Sequence, residues 1–136
     1  MAQHSDLTGE WWGIYRYPTG GAQPVPMEVK LSEAAGELSG ESREPNTFRK
    51  DLGPELRAEL NGHRDGSAVQ FSKRYLGFTQ PGGDPVYAGT SDAARTQIRG
   101  HWHFRRMPHW GGTFSLRRKP HATATATRRI EEAVDL

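Results

Sequence analysis

Apolar and polar residues alternate with a period of two through most of this chain, as they do in strands with one buried face. Eight such segments stand out: Gly9–Tyr17, Val25–Ser32, Glu37–Arg43, Glu55–Asn61, Ala68–Leu76, Pro85–Ser91, Gln97–Arg105 and Gly112–Arg118. The stretches between them are rich in turn chemistry, for example PTGGAQP, EAAG, NGHRDG, TQPGGDP and MPHWGG. Glycine accepts positive φ in such places and proline presets the bend. The pattern predicts an all-β chain. Only the tail departs from it, with Ile130, Ala133 and Val134 at helical spacing after a low-complexity HATATATRR.

The lengths of the separators select an architecture. The second, fourth and sixth connections read as short, and the first, third, fifth and seventh as longer, with Glu44–Pro54 the longest. In an up-and-down barrel alternate connections lie at the same end. The pattern therefore predicts a single antiparallel eight-stranded barrel with one tight end and one loop-rich mouth. Residues 1–6 form an arm, 7–118 the barrel, and 119–136 a short C-terminal tail or helix. Phase assigns the interior to Trp11, Gly13, Tyr15 and Tyr17, to Val25–Leu31 in alternation, to Leu56, Ala58 and Leu60, to Ile98, Trp102 and Phe104, and to Phe114 and Leu116. Strand six admits two phases, Tyr87 with Gly89 or Val86 with Ala88.

Composition narrows the function classes. The chain has 136 residues, 34% of them hydrophobic, and a formal net charge of +2. A single domain of this length can bury a core without staples. The absence of cysteine excludes disulfides, thiolate metal sites and a cysteine nucleophile. MAQHSDLTGE lacks the apolar core of a signal peptide, and no run approaches the roughly 18 apolar residues of a membrane span. A cytoplasmic protein with no membrane partner is expected. Basic residues are dispersed rather than striped, which argues against nucleic acid as a partner. His101 and His103 project together, but Trp102 and Phe104 claim the interior, so the imidazoles face outward and no metal is expected. No cofactor-binding motif is present.

Several short motifs resemble those of known barrels. Leu7-Thr8-Gly9-Glu10-Trp11 resembles the first strand of avidins, and Gly9-x-Trp11 is similar to the G-x-W signature of lipocalins. Gly36-Glu37-Leu38-Ser39-Gly40, Val86–Thr90 and Ile98–Phe104 fall where avidins carry their third, sixth and seventh strands. The resemblance covers residues 7–118 and implies a calycin-like barrel that binds a small ligand inside. It also implies a last-strand arginine over Trp11, which Arg118 or Arg117 would supply. Biotin is not implied, because Gly13, Tyr17, Ser42 and Gly112 stand where avidins carry their biotin contacts. Ser39-Gly40-Glu41 with Glu44-Pro45-Asn46 is similar to part of the substrate-binding barrel of an F-box family that reads peptide ends. The Glu-Pro-Asn-Thr-Phe loop is similar to one in a family of uncharacterised bacterial small-barrel proteins.

The residues near the expected mouth include the candidates for function: Tyr15, Tyr17, Glu44, Lys73, Tyr75, Tyr87, Trp102 and Trp110. In VQFSKRY the phase Val69, Phe71, Lys73, Tyr75 points an ammonium inward. A buried ammonium needs a partner or water. Glu44 is in phase with Leu38, Gly40 and Ser42 and is the candidate partner. His109-Trp110 reads as part of the last mouth loop. The leading expectation is a binder of a small, partly aromatic or apolar molecule, with a homo-oligomer possible. A small-barrel isomerase or cyclase using shape and general acid–base assistance is the first alternative, with no catalytic residue assigned. A module that binds peptide termini or drives assembly is the second.

Overall fold

In a computed structural model, residues 4–18 and 22–120 are described. They form β1 (Gly9–Arg16), β2 (Val25–Ala34), β3 (Glu37–Pro45), β4 (Glu55–Asp65), β5 (Ala68–Tyr75), β6 (Pro85–Ser91), β7 (Gln97–Phe104) and β8 (Met107–Arg118). Each strand pairs with the next, and β1 pairs antiparallel with β8, so the sheet closes on itself. Closure leaves no free edge to pair with another chain. None of the helix-type membrane spans is present among the described residues.

The face assignments follow from the pleat. Trp11 and Tyr15 of β1, Met27 and Leu31 of β2, Leu56 and Leu60 of β4, Phe71 and Tyr75 of β5, Trp102 of β7 and Phe114 of β8 are all buried. In strand six Tyr87 is buried and stacks on Phe71 with ring centroids 5.1 Å apart, and Val86 at the start of the strand is buried as well. Ala88 is exposed. His101 is exposed and Trp102 buried, as the phase of β7 requires. No group of metal-ligating side chains occurs among the described residues.

Two hairpins are tighter than the sequence pattern implies. β2 and β3 are joined by Ala35 and Gly36 alone, both at positive φ (52° and 82°). This is the twist that a two-residue hairpin turn needs. β4 and β5 extend to Asp65 and Ala68, so that His63 pairs with Gln70 inside a stretch that reads as turn.

The seventh connection is a correction. β7 and β8 are joined by Arg105 and Arg106, and β8 begins at Met107 rather than at Gly112. Phe104 pairs with Met107 and His103 with Gly111, which leaves Pro108, His109 and Trp110 as a bulge in β8. Proline and paired glycines imitate a loop in sequence, yet a bulge tolerates both. His109 and Trp110 are therefore part of a strand, not of a mouth loop. Three long connections remain at the mouth: residues 17–24, 46–54 and 76–84.

The other end is sealed. Leu7 is fully buried and its carbonyl accepts a hydrogen bond from the Trp11 indole at 3.1 Å. The Arg118 guanidinium lies 4.6 Å from the Trp11 ring centroid, as the lipocalin resemblance implied. It donates to the carbonyls of Arg95 (2.8 Å), Thr8 (2.5 Å) and Asp6 (2.7 Å). Nearby, Glu33 receives a bidentate pair of bonds from Arg64, both at 2.8 Å, and one from the Leu7 amide at 3.1 Å. The arm is thereby tied across the end of the barrel. The helical spacing noted at Ile130, Ala133 and Val134 lies outside the described residues.

Candidate functional site

Five inward-facing side chains from β1, β3, β5 and β6 meet below the mouth. The Lys73 ammonium lies 2.6 Å from Glu44 Oε1, and both side chains are almost wholly buried, at 1% and 0% exposure. Tyr15 donates its hydroxyl to Glu44 Oε2 at 2.6 Å, and the Tyr75 hydroxyl lies 3.1 Å from both carboxylate oxygens. One carboxylate thus accepts from an ammonium and two phenols. Such saturation is what lets a charge persist away from water. Lys73 Nζ also sits over the faces of Tyr15, Tyr75 and Tyr87, at 4.5, 4.8 and 5.3 Å from their centroids. Attraction to the ring quadrupoles adds to the ion pair.

Phase turns all five side chains inward, and register and barrel closure bring them together. β3 carries Glu44 inward and β5 carries Lys73 and Tyr75 inward. β4 lies between them, contributing only the aliphatic and small side chains Leu56, Ala58 and Leu60 at its buried positions. No bulky side chain intervenes, so the ammonium can reach the carboxylate across the barrel.

Burial lowers the affinity of Lys73 for its proton, but the Tyr75 oxygen and the Glu44 carboxylate more than offset this, and its pKa rises above 10.5. Burial, then Tyr75, then Glu44 push the Tyr15 phenol far above its ordinary value of 10.0. Tyr75 rises through burial against the opposing pull of Lys73, and Tyr87 through burial and Glu44. All four groups therefore hold protons that an unfolded chain would release. Stability from these groups is fully present below pH 10 and is lost as the pH climbs beyond it. In an alkaline titration, the phenolate absorbance of Tyr15, Tyr75 and Tyr87 is expected to appear together with loss of the β-sheet circular dichroism. Phenolate signal from these three in a still-folded barrel would contradict the geometry.

Above this layer the barrel holds a cavity of about 140 Å³. It is lined by Tyr15, Tyr17, Phe48, Tyr75, Gln80, Pro85, Tyr87, Trp102 and Phe104. Tyr15, Tyr17 and Trp102 form a mutual edge-to-face triangle with centroids 5.7–5.9 Å apart. The indole N–H of Trp102 is spent on the Arg16 carbonyl at 3.0 Å, which fixes the ring. Packed this way, the walls are preformed.

The loop between β3 and β4 forms part of the rim. Asn46 organises it: its amide nitrogen donates to the carbonyls of Arg49 (2.5 Å), Leu52 (3.3 Å) and Gly53 (2.7 Å). Its amide oxygen accepts from the amides of Phe48 and Arg49. This holds Phe48 edge-on to Tyr75 and to Phe78, at 5.8 and 5.9 Å.

The structure brings Tyr15, Tyr17, Tyr75, Tyr87 and Trp102 to the cavity. Lys73 and Glu44 lie beneath it, in contact with its tyrosines rather than lining it. Trp110 stands apart in the β8 bulge, 55% exposed. The lining residues Gln80 and Pro85 escaped sequence reasoning. Gln80 belongs to the TQPGGDP stretch, whose composition signals a turn but not where that turn is folded, and Pro85 opens β6 on the face of Tyr87.

A larger trough of about 640 Å³ runs along the outer wall between β2 and β3, bordered by Trp12, Pro26, Arg43, Pro45 and Pro54. There the ladder stops at the pair Glu28–Arg43, and the next positions bring Pro26 towards Pro45. Neither proline has an N–H to continue it. No protein-family model matches the chain, and a search of curated proteins finds no match.

Proposed function

We propose that this calycin-like barrel is a cytoplasmic binding protein that takes a small planar, aromatic or apolar group into its mouth. The observation that carries the reading is the preformed cavity, in which seven of nine lining side chains are aromatic. At about 140 Å³ it matches the space that a single ring fills. Apolar walls with a few convergent hydroxyls are the usual composition of small-ligand sites.

The same geometry disfavours chemistry centred on Lys73. An amine acting as base or Schiff-base former must give up its proton, whereas the Glu44 contact holds that proton in place. The pair acts instead as a rigid floor that fixes Tyr15 and Tyr75.

Native mass spectrometry of the protein purified from its own host tests the reading. A retained small mass is expected, and Tyr17→Ala should reduce its occupancy without altering the circular dichroism. Tyr17 is a rim residue only partly buried, so its loss leaves the core intact. If no mass is retained, and no monocyclic aromatic compound raises the melting temperature, the reading is wrong.

A further inference from the structure

The charge of the ligand can be read from what already occupies the floor of the site. An aromatic cage above a carboxylate is ordinarily a place for a cation. Here the protein's own ammonium fills that role, seated on three tyrosine faces and 2.6 Å from the carboxylate. A second cation entering from the mouth would meet Lys73 at short range with Glu44 already neutralised.

The rim supplies the opposite preference. Tyr75 lines both the cavity and an adjoining hollow of about 320 Å³, whose other walls include Phe78, Asp84, Arg74, Arg105 and Arg106. Arg74 is engaged by Glu59. Arg105 and Arg106 make no ion pair among the described residues, a state they share with Arg16, Arg95, Arg99, Arg117 and Arg118, but they alone of these line this hollow. Asp84 is the one acidic side chain in the hollow.

The main chain that carries these two exposed side chains is anchored. The Arg106 amide donates to the Gly82 carbonyl at 2.8 Å and the Arg105 amide to the Asp84 carbonyl at 3.3 Å. The β7–β8 turn is thereby clamped onto the loop between β5 and β6. Gly83, at φ 85°, gives the arginine stems room, since a Cβ there would stand 3.2 Å from both Arg105 Cβ and Arg106 Cγ. Arginine forks suit carboxylate and phosphate groups, which they bind bidentately.

We infer that the natural ligand is an aromatic or planar anion, its ring in the mouth cavity and its carboxylate or phosphate on Arg105 and Arg106. The inference rests on the mouth-site reading above and adds the ligand's charge and the residues that select it.

Calorimetric titration with benzoate, phenyl phosphate, benzamide and benzyltrimethylammonium separates the possibilities. At least one anion is expected to bind roughly tenfold or more tightly than benzamide, the scale of one charge-assisted contact. Which anion binds better tells carboxylate from phosphate. The advantage should vanish in R105Q/R106Q and fall with added salt. It should persist in R99Q/R117Q, which removes the same charge from exposed strand positions near the sealed end. Benzamide binding as well as the anions, a preference for the ammonium, or an anion advantage that survives R105Q/R106Q would overturn the inference while leaving the mouth site standing. If none of the four binds, both readings fall.

Discussion

Lys73→Met is expected to cost the fold about 3–5 kcal/mol, the range for breaking a buried ion pair from one side. Removing the ammonium leaves Glu44 at 0% exposure with only the Tyr15 and Tyr75 hydroxyls to answer its charge. Glu44→Gln is expected to cost a similar amount for the mirror reason, because the ammonium is then left among tyrosine faces with no counter-charge. The double variant K73M/E44Q should recover a large share of either loss, since no buried charge remains. Chemical denaturation of the three variants forms a double-mutant cycle, and strong coupling is the expected result. Additive losses would mean that the two residues act independently, against the 2.6 Å contact.

Arg118→Ala should destabilise the barrel by about 2–4 kcal/mol, chiefly through hydrogen bonding. The side chain ties β8 to two other segments, donating to Asp6 and Thr8 just before β1 and to Arg95 between β6 and β7, while covering the Trp11 ring. Charge-assisted bonds are stronger than neutral ones, but these sit at a partly exposed end where water can replace the lost donors, so each counts for well under its usual value. The cation–π contact adds about 0.5–2 kcal/mol. Lysine at 118 keeps the charge but cannot aim donors at three carbonyls, so R118K should restore only part of the loss. Amide hydrogen exchange gives a sharper readout. Opening should concentrate at the sealed end, around Leu7 to Trp11, with the Asn46 loop at the mouth unaffected. A uniform loss of protection across the barrel would contradict a local clamp.

Most of the candidate site was legible because strands have a period of two. Once VQFSKRY is a strand, Phe71 and Tyr75 inside put Lys73 inside as well, and Glu44 follows from Leu38 and Ser42 in the same way. An inward lysine then calls for an inward acid, and the interior phase offered Glu44. Arg118 over Trp11 was legible from the lipocalin-like G-x-W and from closure, which pairs Trp11 with Arg118.

What escaped has a common cause. Turn composition marks where the chain is permitted to bend, not where it does. MPHWGG looked like a loop and became a bulged strand, because pairing with His101 and Trp102 captures Thr113 and Gly112 and continues past the bulge to Met107. Leu7, the first residue of the expected barrel, gave no sign that it would plug the sealed end. Gln80 entered the cavity wall through a loop fold that no periodicity encodes, whereas Pro85 opens β6 in phase with Tyr87.

The sequence by itself determined an all-β chain, its eight strands, the inward faces of most of them and the inward charge pair, because each depends only on alternation along a strand. The tertiary structure alone decided the depth of the site. Whether Lys73 reaches the cavity or lies beneath it depends on how side chains from β1, β3, β5, β6 and β7 fill one shared volume. Tyr15, Tyr75, Tyr87 and Trp102 take the cavity wall and leave the ion pair as its floor. That outcome is a property of packing across the barrel, where distances between strands matter and spacing along them no longer does.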